Sequence, residues 1–198
     1  MRSQIPFALL WLTTLIVVAV SAVVGIGCDP ESSEPDAELE LRVAWRPLVT
    51  ADGWEELRAD ADPLPEHRPA EVVCSRLGWY AETDGLEVDT SACNYLAVEH
   101  ASLEALRPGD VVRVELWWQS LISLEPAEGH LAVWLDGQLL WEERVAIPGY
   151  ADARDVRVPI TRFVPAGAPV IFHLHNHGTN TWRLRGLSVL DVELAADE

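Results

Sequence analysis

The chain has 198 residues, 49% of them apolar, with a formal net charge of −18 at pH 7, and its 14 basic residues are all arginine. The apolar content excludes a disordered chain, and the length suits one domain with a real core. A surface this acidic repels nucleic-acid phosphates and anionic lipid headgroups, which excludes both as direct ligands.

The N-terminal 27 residues read as a targeting segment and not as part of the fold. Arg2 supplies a positive start, an apolar stretch runs from about Pro6 to Ile26, and small residues follow, the pattern of a secretory signal. The stretch of about 20 apolar residues is also long enough to span a bilayer, so an uncleaved anchor is the competing reading. Gly25-Ile26-Gly27-Cys28 resembles the lipobox of bacterial lipoproteins, in which signal peptidase II cuts before a diacylated cysteine. The resemblance implies residues 1–27 as signal peptide, lipidation at Cys28, and a place in the bacterial cell envelope facing the periplasm or the exterior. The membrane is then a partner only through the anchor. Residues 28–38 are acidic, contain Pro and Ser, and bury nothing, so they form a flexible tether. With Cys28 acylated, Cys74 and Cys93 remain as an even pair in an oxidising compartment and are expected to form a disulfide.

From Leu39 to residue 194 the pattern is that of strands. "LELRVAW" alternates Leu39, Leu41, Val43 and Trp45 against polar neighbours. Residues 51–70 carry prolines at 63, 65 and 69 and hold at most one helical turn. Strands are predicted over 77–81, 86–90, 94–99, 111–119, 130–135, 138–147, 154–160, 169–176 and 181–192, with an acidic tail at 195–198. Many short strands without an amphipathic helix indicate an all-β antiparallel sandwich. The cadence of "GDVVRVELWW", "GHLAVWLDGQLLWEERVAIP" and "VPAGAPVIFHLHNHGTNTWRLRGLSVLDVEL" resembles galactose-binding-like jelly rolls, the fold of many carbohydrate-binding modules, over about 108–194. That resemblance implies a fold class and carries over no functional residue.

Alternation also assigns faces. Val170, Phe172 and Leu174 point to the core, which leaves His173, His175 and His177 on the opposite side. Leu131, Val133 and Leu135 face in, with His130, Ala132 and Trp134 out; Val112, Val114, Leu116 and Trp118 face in, with Arg113, Glu115 and Trp117 out. A three-residue Leu135-Asp136-Gly137 loop would pair Trp134 with Gln138 and His130 with Glu142, keeping one apolar face on both strands.

Three functions fit such a face. The first is a non-enzymatic binding module for a carbohydrate-like ligand or an envelope partner, using Trp117, Trp134, Glu142, Asn176 and Asn180. The second is a mononuclear zinc or copper protein on His173 and His175, completed by His130, His177 or His100, with Glu142 as ligand or support and catalysis as an extension. The third is a structural envelope lipoprotein whose histidines pack under the 50–70 segment. "FHLHNHG" is similar over six residues to the zinc strand of α-carbonic anhydrases, but no histidine follows His177 to supply that family's third ligand. His67 and His100 read as solvated. No nucleophile-elbow, P-loop or dinucleotide-binding pattern is present, so the reading leans away from an enzyme and requires no cofactor.

Overall fold

The computed structural model describes residues 39–196; the signal stretch, Cys28, the tether as far as residue 38, and residues 197–198 lie outside them. The chain forms eleven strands among the described residues: β1 Leu39–Pro47, β2 Glu55–Glu56, β3 Trp79–Glu82, β4 Gly85–Asp89, β5 Tyr95–Ala101, β6 Val111–Trp118, β7 Ala127–Leu135, β8 Gln138–Ile147, β9 Asp152–Pro159, β10 Pro169–His175 and β11 Thr181–Ala196. One short 3₁₀ turn, Pro65–His67, interrupts them. Among the described residues no helix is long and apolar enough to cross a membrane. β11 runs two residues into the stretch expected as an acidic tail, where Ala196 pairs with Leu39.

The strands make an antiparallel β-sandwich. One sheet has the order β3-β4-β11-β6-β9, with β1 also paired to β11, and the other the order β2-β5-β10-β7-β8. Their inner faces supply one core. Val112, Val114, Leu116 and Trp118 of β6 meet Leu131, Val133, Leu135, Val170, Phe172 and Leu174 of the second sheet, each 2% exposed or less. The strict alternation of buried and half-buried residues along β6 is the sequence pattern made physical. Cys74 and Cys93 form the expected disulfide beside this core.

The β7–β8 hairpin departs from expectation. Its loop has two residues, Asp136 at φ 50° and Gly137 at φ 74°, and Leu135 pairs with Gln138. Both positive φ values suit the primed turns that match strand twist. Trp134 then lies opposite Leu139, the mismatch that had argued for the longer loop. The chain resolves it with an extra residue at Leu140, so that Val133 pairs with Trp141 and His130 with Arg144, not Glu142.

Candidate functional site

β10 is the central strand of its sheet, flanked by β5 and β7. This puts Tyr95 and Ala97, His173 and His175, and His130, Ala132 and Trp134 side by side on the outer face. Much of that face is covered. The segment between β2 and β3 crosses it as a strap, and Leu57 and Leu64 pack on Ala132, Trp134 and Ile171. Asp62 fastens the strap: its carboxylate accepts from the Tyr95 hydroxyl at 2.5 Å, from Arg68 at 3.2 Å and from the Leu64 amide at 3.0 Å. The Arg68 guanidinium lies over the Tyr95 ring at 5.1 Å.

The strap delivers His67 to two strand histidines. The Nδ1 atoms of His67 and His130 are 2.8 Å apart, and ring centroids separate His130 from His173 by 5.0 Å and His67 from His173 by 6.3 Å. One nitrogen from each of the three rings lies within 4.8 Å of the other two. His130 Nε2 faces Glu142 Oε1 at 2.7 Å, which assigns the Nε2 proton to His130 and leaves the Nδ1 lone pair to accept from His67. His67 Nε2 is then the acceptor, in keeping with Arg144 Nη2 at 3.5 Å. His173 is fully buried, yet neither of its ring nitrogens has a hydrogen-bond partner. Buried polar atoms in folded proteins almost always have one.

Burial sets the charge of this cluster. It pushes His173 down to about 2, helped by repulsion from His130 and His67. It pushes His175 down to about 4, with His177 as the next cause. It also lowers His130, against the hydrogen bond to Glu142 that favours the cation. His130, His173 and His175 are therefore neutral near pH 7, with lone pairs available.

His67 and His130 form part of the wall of an open cleft of about 700 Å³, shared with His175, His177 and residues 123–128. Glu66, Glu125 and Glu128 line it together with Arg144, three acids against one basic side chain. Gly178 lines the cleft where the chain passes close to Ile122. Its φ is +94°, and a Cβ there would lie 2.1 Å from the carbonyl oxygen of Ile122.

The structure separates the residues that had been expected to act together. His173 and His130 meet in the buried cluster, while His175 and His177 stand at the cleft, their rings 4.8 Å apart. Trp117 and Trp134 do not share a groove, because β6 and β7 belong to different sheets. Trp134 is 8% exposed beneath the strap, and Trp117 lies on the far face with Arg183 over its ring at 5.8 Å. Asn176 and Asn180 are buried and consumed by the fold. Asn176 Oδ1 accepts from Trp182 Nε1 at 3.0 Å and from Asn180 Nδ2 at 3.2 Å, and Asn180 Oδ1 accepts from the Ile122 amide. Glu142 does not point at a ligand but at His130.

Of the two histidines read as solvated, His100 is buried and His67 is half-buried. His100 is 7% exposed, with Nε2 near Thr50 Oγ1 and the Asp52 carbonyl, both at 3.0 Å. His67 joins the cluster. Its sequence signal was weak: "PEHRP" carries no strand period, and only Leu57 and Leu64 hint that the segment lies on a sheet.

No family model matches the chain, and no curated protein does. Among solved structures, the CBM51 from Clostridium perfringens GH95, in complex with methyl-galactose, is similar at 13% identity and a TM-score of 0.37, over 73% of this chain and 94% of that one. TmCBM61, in complex with β-1,4-galactotriose, is similar at 11% identity and a TM-score of 0.26, over 79% of this chain and 88% of that one. At these scores the likenesses assign neither ligand nor site, and the sandwich rests on the strand pairing described above.

Proposed function

We propose that this chain is a lipid-anchored binding module of the bacterial envelope, non-enzymatic, whose ligand is an uncharged, carbohydrate-like molecule held in the 700 Å³ cleft. The cleft is the observation that carries the reading. It has the size of a small-molecule site and sits on a rigid sheet. Its acidic excess disfavours phosphorylated or sulfated ligands, whereas carboxylates and imidazoles are good partners for neighbouring hydroxyls. Leu124 and Pro126 offer apolar surface for C–H faces. Lipidation at Cys28 would hold the module at a membrane, and loss of fatty-acid labelling in Cys28→Ser tests that half of the proposal.

The ligand half is tested with the full-length chain in detergent micelles on an array of neutral glycans. Binding weakened about tenfold or more by Glu128→Gln or His177→Ala supports the cleft. An array with no hits sinks the carbohydrate ligand, and capture of one envelope protein would then favour the adaptor reading.

A further inference from the structure

We infer that His67, His130 and His173 form a three-histidine site for one divalent transition-metal ion, zinc or copper(II), at the buried wall of the cleft. The inference shares the cleft with the proposed ligand but does not rest on the ligand's identity.

Three observations carry it. First, the three donors come from independent parts of the chain, the strap, β7 and β10, and still bring one nitrogen each within 4.8 Å of the others. Imidazole is a preferred donor for both ions, and three protein ligands with a fourth position toward solvent is the arrangement of open zinc sites. Second, His173 is fully buried with both nitrogens unpartnered, among the rings of Tyr95, Trp134, His67 and His130. An ion taking one of these nitrogens supplies the partner the protein does not. Third, the His130 Nε2–Glu142 Oε1 hydrogen bond at 2.7 Å turns the Nδ1 lone pair toward the cluster, as a carboxylate behind a ligating imidazole does.

Besides small shifts of the three rings onto the ion, binding needs a change of tautomer. The proton on His67 Nδ1 must leave that atom, which frees the lone pair now used as a donor to His130. If it moves to Nε2, Arg144 must give way, and Glu128 Oε2, 3.6 Å from Arg144 Nη1, is placed to receive the guanidinium. Glu66, Glu128 and Glu142 together offset the charge of Arg144 near the cation.

The test is titration of the full-length chain in detergent with cobalt(II), read by its visible ligand-field bands, followed by displacement with zinc or copper(II). We expect one ion per chain, bands of a low-coordinate nitrogen site, and their loss in His67→Ala. His67 is half-buried on a strap held by Asp62, so this variant keeps the fold, which circular dichroism verifies. His175→Ala should bind as the parent does. A folded parent that takes no ion overturns the site. A folded His67→Ala with unchanged binding, or a His175→Ala that loses the ion as completely, overturns this ligand set. Repeating the glycan array in a chelator separates the two proposals. Glycan binding that survives beside failed ion binding leaves the carbohydrate reading standing, and ion binding beside an empty array leaves the metal site standing.

Discussion

His130 donates to Glu142 at 2.7 Å although the two are not cross-strand partners: His130 pairs with Arg144, and Glu142 with Ala132. The contact is diagonal on one face of the sheet, within the reach of long side chains. Alanine at 132 leaves the room for Glu142 to lean across. The extra residue at Leu140 sets this register, so a local irregularity in β8 aims the carboxylate.

Glu142→Ala should leave the fold intact, because its side chain is 39% exposed and lies outside the apolar core. It removes the group that orients His130, so zinc affinity should fall about 10–100-fold with stoichiometry unchanged. Competition titration against a chromophoric chelator reads the difference, and an unchanged affinity would remove Glu142 from the site.

Asp62→Ala leaves the Tyr95 hydroxyl, the Leu64 amide and Arg68 without their shared acceptor. The cost should be about 2–3 kcal/mol in urea unfolding. Ion binding should weaken too, because the strap that carries His67 loses its fastening. A variant as stable as the parent would show that Leu57 and Leu64 alone hold the strap.

Tyr95 gives a pH signature. Burial first, and the Asp62 hydrogen bond second, hold its phenol above the ordinary value of 10. The unfolded chain ionises this tyrosine more readily, so it binds fewer protons than the folded chain above that pH. The stability this contributes is whole below pH 10 and is lost as pH rises from there toward the folded value. The stability gap between the parent and Tyr95→Phe should therefore narrow above pH 10, and a gap constant from pH 8 to 11 would contradict the burial assigned to the phenol.

Asn176→Ala separates structure from binding. It strips Trp182 Nε1 and Asn180 Nδ2 of an acceptor and Thr90 Oγ1 of a donor, in a buried network. We expect a loss of about 2–3 kcal/mol in thermal or urea unfolding. Any glycan bound by the folded fraction should keep its affinity, and a selective affinity loss at full stability would return Asn176 to the binding residues.

Removing the Cys74–Cys93 bridge by a double serine variant should cost about 3 kcal/mol, the chain-entropy value for a loop near its 19-residue separation. Unfolding with and without reductant checks it.

Period-two alternation was enough to place every described strand but the two-residue β2, in a stretch expected to hold at most a helical turn, to orient β6, β7 and β10, and to sort His173 from Phe172, because side chains on a strand must alternate faces whatever the rest of the chain does. Cysteine parity was enough for the disulfide, since only two thiols remain once Cys28 is set aside. What alternation cannot say is which sheet a strand joins. Trp117 and Trp134 have the same local pattern and lie on opposite sides of the molecule, because strand order is decided by long-range pairing. Nor can it choose among loops laid across a face: histidines packed under the 50–70 segment were one of three readings, and long-range contacts decided for that packing. The strap has no period of its own, and its position comes from Asp62 meeting Tyr95 and from two leucines finding Trp134 and Ile171. Alternation thus carried the class of fold and the outward facing of His130 and His173, while the pairing of β7 with β10 brought those two together. His67 was left to long-range contacts, because a residue outside any regular element is placed by its contacts and not by its neighbours along the chain.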